Sequence, residues 1–147
     1  MRFRRTIAAA ATLFTALLAF FVVTPAQAAP GQSYLTTGQS LTGGQYLVKG
    51  RFRLNMQTDG NLVLYENFGT SSQRVCAASN TYGYNGAHAW NSPDGYFAVY
   101  ATNGGVLWTT RPYTDNVNYN GGLVQLIANG DAEFTGAGYW RYVYWRC

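Results

Sequence analysis

From Phe52 to Tyr65 apolar and polar residues alternate, with the phase held across a turn. Phe52, Leu54, Met56, Leu62 and Leu64 stand at even positions; Arg53, Asn55, Gln57, Asn61, Val63 and Tyr65 stand at odd ones. A period of two predicts half-buried strands. Asp59-Gly60 between them predicts a hairpin. A two-residue loop at Asp59-Gly60 would pair Gln57 with Leu62 and mix the two faces. A three-residue loop, Thr58-Asp59-Gly60, pairs Gln57 with Asn61, Met56 with Leu62 and Leu54 with Leu64. Only that loop puts the apolar residues on one face, and its third position is where a bulged turn takes glycine.

The pattern recurs. Asp59-Gly60 returns as Asp94-Gly95 and again as Asn129-Gly130, each step being 35 residues. "MQTDGNLVLY", "NSPDGYFAVY" and "LIANGDAEFT" align without gaps, and the units run on to "RVCAASNT", "GVLWTT" and "YVYWRC". Fixed periodicity of this kind marks a repeated architecture in which no unit can bury its own apolar face. The predicted core faces are Ala89, Phe97 and Val99 in the second unit, with Asn91 as a misfit, and Val124, Leu126, Ala132 and Phe134 in the third. Short β-branched and aromatic runs between Gly and Asn turns make the fold all-β.

The first residues alter the charge argument. "MRFRR" is a basic n-region, Thr6 to Val23 is apolar, and Ala26-Gln27-Ala28 is a small-x-small cleavage signal. Residues 1–28 thus read as a secretory signal of bacterial, alanine-rich style. Residues 29–147 read as one domain of three repeats, secreted and extracellular. The precursor carries a formal +4; Arg2, Arg4 and Arg5 leave with the signal, so seven basic residues face six acidic ones. That balance gives no charge-based case for nucleic acid or for a membrane surface, and no membrane-inserting segment is expected once the signal is gone. In an exported chain, Cys76 and Cys147 are expected to form a disulfide, closing a loop of about 70 residues worth on the order of 4 kcal/mol. The alternative is a free Cys147 at a frayed end.

The odd positions of the first hairpin carry its chemistry. Gln57, Asp59, Asn61 and Tyr65 surround Val63, a cluster of donors and acceptors around one apolar contact. Such a surface suits a small polyol, whose hydroxyls need directional partners and whose C–H face needs an apolar patch.

Gln57-x-Asp59-x-Asn61-x-Val63-x-Tyr65 resembles, in full, the Q-x-D-x-N-x-V-x-Y motif of the bulb-type (monocot-like) mannose-binding lectins. "YLTTGQSLTGGQYLVKG", Tyr34 to Gly50, resembles the N-terminal Leu/Gly-rich strand of that family. The resemblance covers nearly the whole of residues 29–147. It implies a type II β-prism of three four-stranded antiparallel sheets with pseudo-threefold symmetry, and metal-free, cofactor-free recognition of mannose-containing glycans. It implies that Asp59 and Asn61 bind the axial 2-hydroxyl, Gln57 the 3-hydroxyl and Tyr65 the 4-hydroxyl, while Val63 packs on the sugar carbons. A single shallow site binds weakly, so a homodimer or a multivalent glycan surface would supply avidity. The family brings one tryptophan per unit to the centre; Trp108 and Trp145 fit, and Cys76-Ala77 stands at the third place. A bridge from Cys76 to Cys147 is unlike the short intra-unit bridge of the plant members.

The other units depart from the motif. Unit two reads Ser92, Asp94, Tyr96, Ala98 and Tyr100, and its hairpin also turns His88 and Trp90 outward, giving a degenerate second site rich in aromatics. Unit three reads Ile127, Asn129, Asp131, Glu133 and Thr135, with a carboxylate where the sugar's apolar contact should be. An enzyme is not expected: there is a single histidine, no metal-spaced cluster and no nucleophile arrangement. Asp131 and Glu133 are expected to be solvated. Secreted chains on this scaffold also include bacteriocin-like and inhibitor proteins, so a protein-binding module is the alternative function.

Overall fold

The computed structural model describes residues 31–110, 122–135 and 141–147. The signal expected at 1–28 and the mature start at Ala29 lie outside the described residues. The described residues form β1 (Tyr34–Leu35), β2 (Ser40–Leu41), β3 (Tyr46–Lys49), β4 (Phe52–Met56), β5 (Leu62–Glu66), β6 (Arg74–Ala78), β7 (His88–Asn91), β8 (Phe97–Tyr100), β9 (Val106–Thr109), β10 (Leu123–Leu126), β11 (Ala132–Thr135) and β12 (Arg141–Trp145). They make three four-stranded antiparallel sheets, ordered β3-β4-β5-β6, β2-β7-β8-β9 and β1-β10-β11-β12. This is the expected all-β prism. No described helix is long and apolar enough to cross a membrane.

Each hairpin closes as its parity requires. Leu54 faces Leu64 and Met56 faces Leu62 across β4 and β5. The Gln57 N–H donates to Asn61 O at 2.8 Å, the Ser92 N–H to Tyr96 O at 2.7 Å and the Ile127 N–H to Asp131 O at 3.0 Å. The same three-residue loop therefore recurs in every unit. Its last residue has positive φ each time, +92° at Gly60, +82° at Gly95 and +92° at Gly130, a region that side chains with a Cβ avoid. All the predicted core residues are buried, and Asn91 is as buried as its apolar neighbours.

Asn91 is no misfit. Its Nδ2 donates to Leu35 O at 3.1 Å and to Gly122 O at 2.9 Å, so one side chain of the second sheet holds two backbone carbonyls beside the third. Gly122 O also accepts from Thr37 Oγ1 at 3.1 Å, so Asn91 adds a second donor there and ties the two sheets together.

The segment from Tyr34 to Gly50, read from sequence as one N-terminal strand, is three strands. β1 joins the third sheet, β2 the second and β3 the first. Leu35, Leu41 and Leu47 recur every six residues, and each is fully buried at the centre. Thr36 N–H bonds Gln39 Oε1 and Thr42 N–H bonds Gln45 Oε1, so a six-residue unit is used twice to turn the corner between sheets.

At the centre Trp108 and Trp145 pack against the core as expected, Cys76 and Ala77 stand at the third place, and Tyr144 joins the two tryptophans. Trp108 and Trp145 approach to 4.9 Å between centroids, and Tyr144 lies 6.3 Å from Trp108 and 5.8 Å from Phe97. The Tyr144 hydroxyl is buried without a hydrogen-bond partner among the described residues; burial, then the charge of Glu133, pushes its pKa well above the ordinary phenol value. On the side of the first unit, Cys76 of β6 is bonded to Cys147 beyond β12, with Cα atoms 5.0 Å apart. The covalent link joins the first sheet to the third.

The bridge gives a first prediction. Native protein should have an intact mass two hydrogens below the reduced chain. Urea unfolding of Cys147→Ser should show a loss of about 2–5 kcal/mol. A pair of thiols fully alkylatable in native protein would contradict the bond.

Candidate functional site

Gln57, Asp59, Asn61, Val63 and Tyr65 lie together on the outer face of the first hairpin. Asp59 is exposed in the loop, where its Oδ1 accepts from the Asn61 N–H at 3.0 Å. That bond holds the carboxylate at the mouth of the hairpin. Asn61 Oδ1 accepts from Ser79 Oγ at 3.1 Å and from the Thr81 N–H at 3.2 Å, which leaves the Nδ2 hydrogens to donate outward. Gln57 Nε2 donates to Tyr65 Oη at 2.8 Å.

This last bond changes the shape expected of the site. Tyr65 is paired with Arg53 and Val63 with Asn55, while Gln57 lies one step further toward the loop. To reach Gln57 the tyrosine ring must cross the row of Val63 and Asn55. Val63 is accordingly only 2% exposed and Asn55 8%. Tyr65 is itself only 7% exposed, so the apolar part of the face is closed and Val63 offers a ligand no open patch.

Two residues of the site escaped the sequence reading. Ser79 and Thr81 are nearly buried, with hydroxyls 2.7 Å apart. Ser79 Oγ accepts from the Leu62 N–H at 3.0 Å, and Thr81 Oγ1 donates to Gly60 O at 2.7 Å. They clamp the chain after β6 beneath the hairpin loop and fix the rotamer of Asn61. The Gly83 N–H bonds Asp59 O at 2.9 Å, which sets the exposed rings of Tyr82 and Tyr84 beside the site. The signal was present in "SNTYGYNG", a polar, glycine-rich run too long for a simple turn, but its target lies across the fold.

The second sheet brings His88, Trp90 and Tyr100 together on its outer face. Tyr100 stacks on His88 at 5.8 Å and meets Trp90 edge-on at 5.7 Å. Burial lowers the pKa of His88; burial, then Asp94 and Tyr96, raises that of Tyr100. A hollow of about 430 Å³ is lined by Asp94, Tyr96, Ala98 and Tyr100 with Val106 and Thr109. Ser92, in the glutamine position, is buried and bonded to the Asp94 N–H at 3.2 Å. The face is hollow and aromatic where the first is roofed and amide-lined.

In the third sheet Glu133 is 1% exposed, not solvated as expected. Arg141 of β12 forms an ion pair with its Oε1, and Gln125 Nε2 lies 3.3 Å from its Oε2. A carboxylate in the apolar slot survives burial because two neighbouring strands supply donors. Asp131 is half-buried at the turn, its Oδ2 accepting from Asn129 Nδ2 at 3.0 Å and its N–H donating to Asn129 Oδ1 at 3.0 Å. Among the described residues no group of three or more His, Cys, Asp or Glu is placed to hold a metal ion.

No family model and no curated sequence matches the chain significantly. Solved structures do. A lectin from Allium sativum is 30% identical, with 74% of this chain and 98% of that chain covered and a TM-score of 0.62. The chain belongs to the bulb-type lectin family. The mannose-specific agglutinin from snowdrop bulbs (Galanthus nivalis), solved with methyl-α-D-mannoside, is 27% identical at a TM-score of 0.62, covering 74% of this chain and 94% of that one. A monomeric monocot mannose-binding lectin from Gastrodia elata is 25% identical at the same TM-score, covering 75% and 96%. Bulb-type lectins bind carbohydrate and are not enzymes.

The clamp gives a second prediction. A Cβ on Gly60 would collide with the carbonyl group of Tyr84, at a φ that alanine rarely adopts. Gly60→Ala should therefore lower stability by about 1–3 kcal/mol. It should also broaden the Tyr82–Tyr84 amide signals in NMR before those of the second hairpin. Equal melting of variant and parent would refute the close packing of loop on loop.

Proposed function

We propose that the protein is a secreted lectin that recognises mannose-type sugars without metal, mainly through the outer face of its first repeat. The observation that carries the reading is the convergence of Gln57, Asp59, Asn61 and Tyr65 around Val63 in one unit alone. In the other two, the corresponding faces hold an aromatic hollow and an internal ion pair. Crystallised relatives described as binding mannose or mannosides support the sugar class.

On this reading Asp59 and the Asn61 amide hold the axial 2-hydroxyl, one as acceptor and one as donor. Glucose, with an equatorial 2-hydroxyl, would leave Asp59 poorly paired. The Gln57–Tyr65 bond supplies both partners for neighbouring hydroxyls once a sugar inserts between them. The basic, apolar and small-x-small segments of residues 1–28 support export, and the Cys76–Cys147 disulfide is consistent with an oxidising compartment. The aromatic face of the second sheet favours one other reading, a protein partner engaged there in the manner of a bacteriocin or inhibitor. Pull-downs with and without free mannose separate the two, because sugar-independent capture supports the alternative.

Titration of the protein with methyl mannoside should give one site at around millimolar affinity, about −4 kcal/mol. Asp59→Asn should weaken binding by about 1.5–3 kcal/mol, the worth of a charged hydrogen bond. Because the loop is exposed, the variant should melt with the parent. Asp94→Asn should leave mannose affinity unchanged. If Asp94→Asn abolished binding and Asp59→Asn did not, the site would be the second sheet; three equal sites per chain would overturn the reading of the other units as degenerate.

A further inference from the structure

The outer face of the first sheet continues past Tyr65. The next row pairs Arg53 with Tyr65 and with Val48. The Arg53 guanidinium carbon lies 3.5 Å from the ring centroid of Tyr46 and 4.0 Å from that of Phe68. Phe68 in turn meets Tyr65 edge-on at 5.1 Å. An arginine held by two rings is thus joined, through one of them, to the motif's last residue.

Arg53 has no hydrogen bond or ion pair with any described residue, and its Nε is buried without a partner. Stacking on rings holds a guanidinium in place but leaves its N–H donors unsatisfied. The neighbouring carboxylate does not serve it. Glu66 is shared by Arg51 at 2.7 Å and Arg74 at 2.5 Å, and these bonds, Arg74 first, hold its pKa below the usual carboxylate value. Lys49 is exposed on the same sheet. Lys49, Glu66 and Arg74 stand in the cross-strand row of Phe52, one residue out of phase with Arg53, so the cation beside Arg53 at the hollow is Arg51. Between Arg53, Arg51, Tyr46, Phe68 and Thr70 lies a hollow of about 390 Å³, within the range of small-molecule sites.

Two rings lie within 4.0 Å of the Arg53 guanidinium carbon and Nε is buried, so a partner reaches Arg53 through its terminal N–H groups, from the hollow that it lines. A planar fork of N–H donors approached edge-on matches two oxygens of a carboxylate or a phosphate, and a neutral hydroxyl matches it poorly. We propose that Arg53 is an oxyanion subsite contiguous with the sugar motif, and that the preferred ligand is an acidic saccharide: a mannose-type sugar whose own substituent or adjoining residue carries a carboxylate or phosphate. The proposal rests on the reading of Gln57 to Tyr65 as the sugar site.

Calorimetric titrations with methyl α-D-mannoside, mannose 6-phosphate and a mannuronic acid disaccharide test it. The parent should bind at least one acidic ligand about tenfold more tightly than the neutral one, with the advantage shrinking as salt rises. The two acidic arms tell phosphate from carboxylate. Arg53→Met, which keeps the stem between the rings, should abolish the advantage and leave methyl mannoside affinity unchanged; Arg53→Lys should restore part of it. The parent alone gives an independent readout, since the Arg53 Nε–H signal should shift with the acidic ligand and not with methyl mannoside. Equal affinity of the parent for all three ligands, an advantage that persists in Arg53→Met, or a silent Nε–H signal would overturn the proposal. Methyl mannoside binding with no acidic preference would remove the subsite and leave the lectin reading intact. Arg53-dependent binding of acidic sugars without any response to Asp59→Asn would do the reverse.

Discussion

A three-residue loop between two strands sends alternate residues to opposite faces, and one residue more or less would exchange inside for outside along the whole hairpin. Gly60, Gly95 and Gly130 hold that parity by adopting a backbone conformation other residues resist. Everything else follows from it. Three hairpins with one apolar face each cannot stand alone in water, and burying three such faces together produces a closed prism with a leucine- and phenylalanine-filled axis. The outer faces are then left free to differ without disturbing the core.

They differ at the centre of each face. Val63, Ala98 and Glu133 stand at corresponding places 35 residues apart. Valine lies beneath a tyrosine that reaches a glutamine. Alanine leaves a hollow among aromatic rings. Glutamate is buried against an arginine from the neighbouring strand. One backbone thus carries a roofed polar face, an open aromatic face and a sealed ionic face. The threefold repeat is a property of the interior alone.

The parity of the loops, the core positions and the placement of the five motif residues were legible because they depend on period and spacing, which a linear chain displays. What was not legible depends on reach across the fold. Tyr65 roofs Val63 because its hydroxyl reaches Gln57, a matter of rotamer. Glu133 looks solvated until Arg141 and Gln125 are brought beside it. Asn91 looks out of place until Leu35 and Gly122, far off in sequence, present their carbonyls to it. The six-residue spacing of Leu35, Leu41 and Leu47 was in view, but a repeat so short has no strand period, and its meaning appears only when each leucine lands in a different sheet.

That last feature has a bearing on how the chain comes to be folded. β1 lies against β10, with Tyr34 opposite Gln125, so the earliest described strand pairs near the end of the chain. The three sheets share one N-terminal strap, and no sheet is complete until its own repeat has arrived; the third waits for the last. Contacts between such distant residues are slow to form, since loop closure must come first. A ribosome releasing the chain from its N-terminus would therefore emit every strand of the first sheet by residue 78 and of the second by residue 109, while β1 waits unpaired for the third repeat.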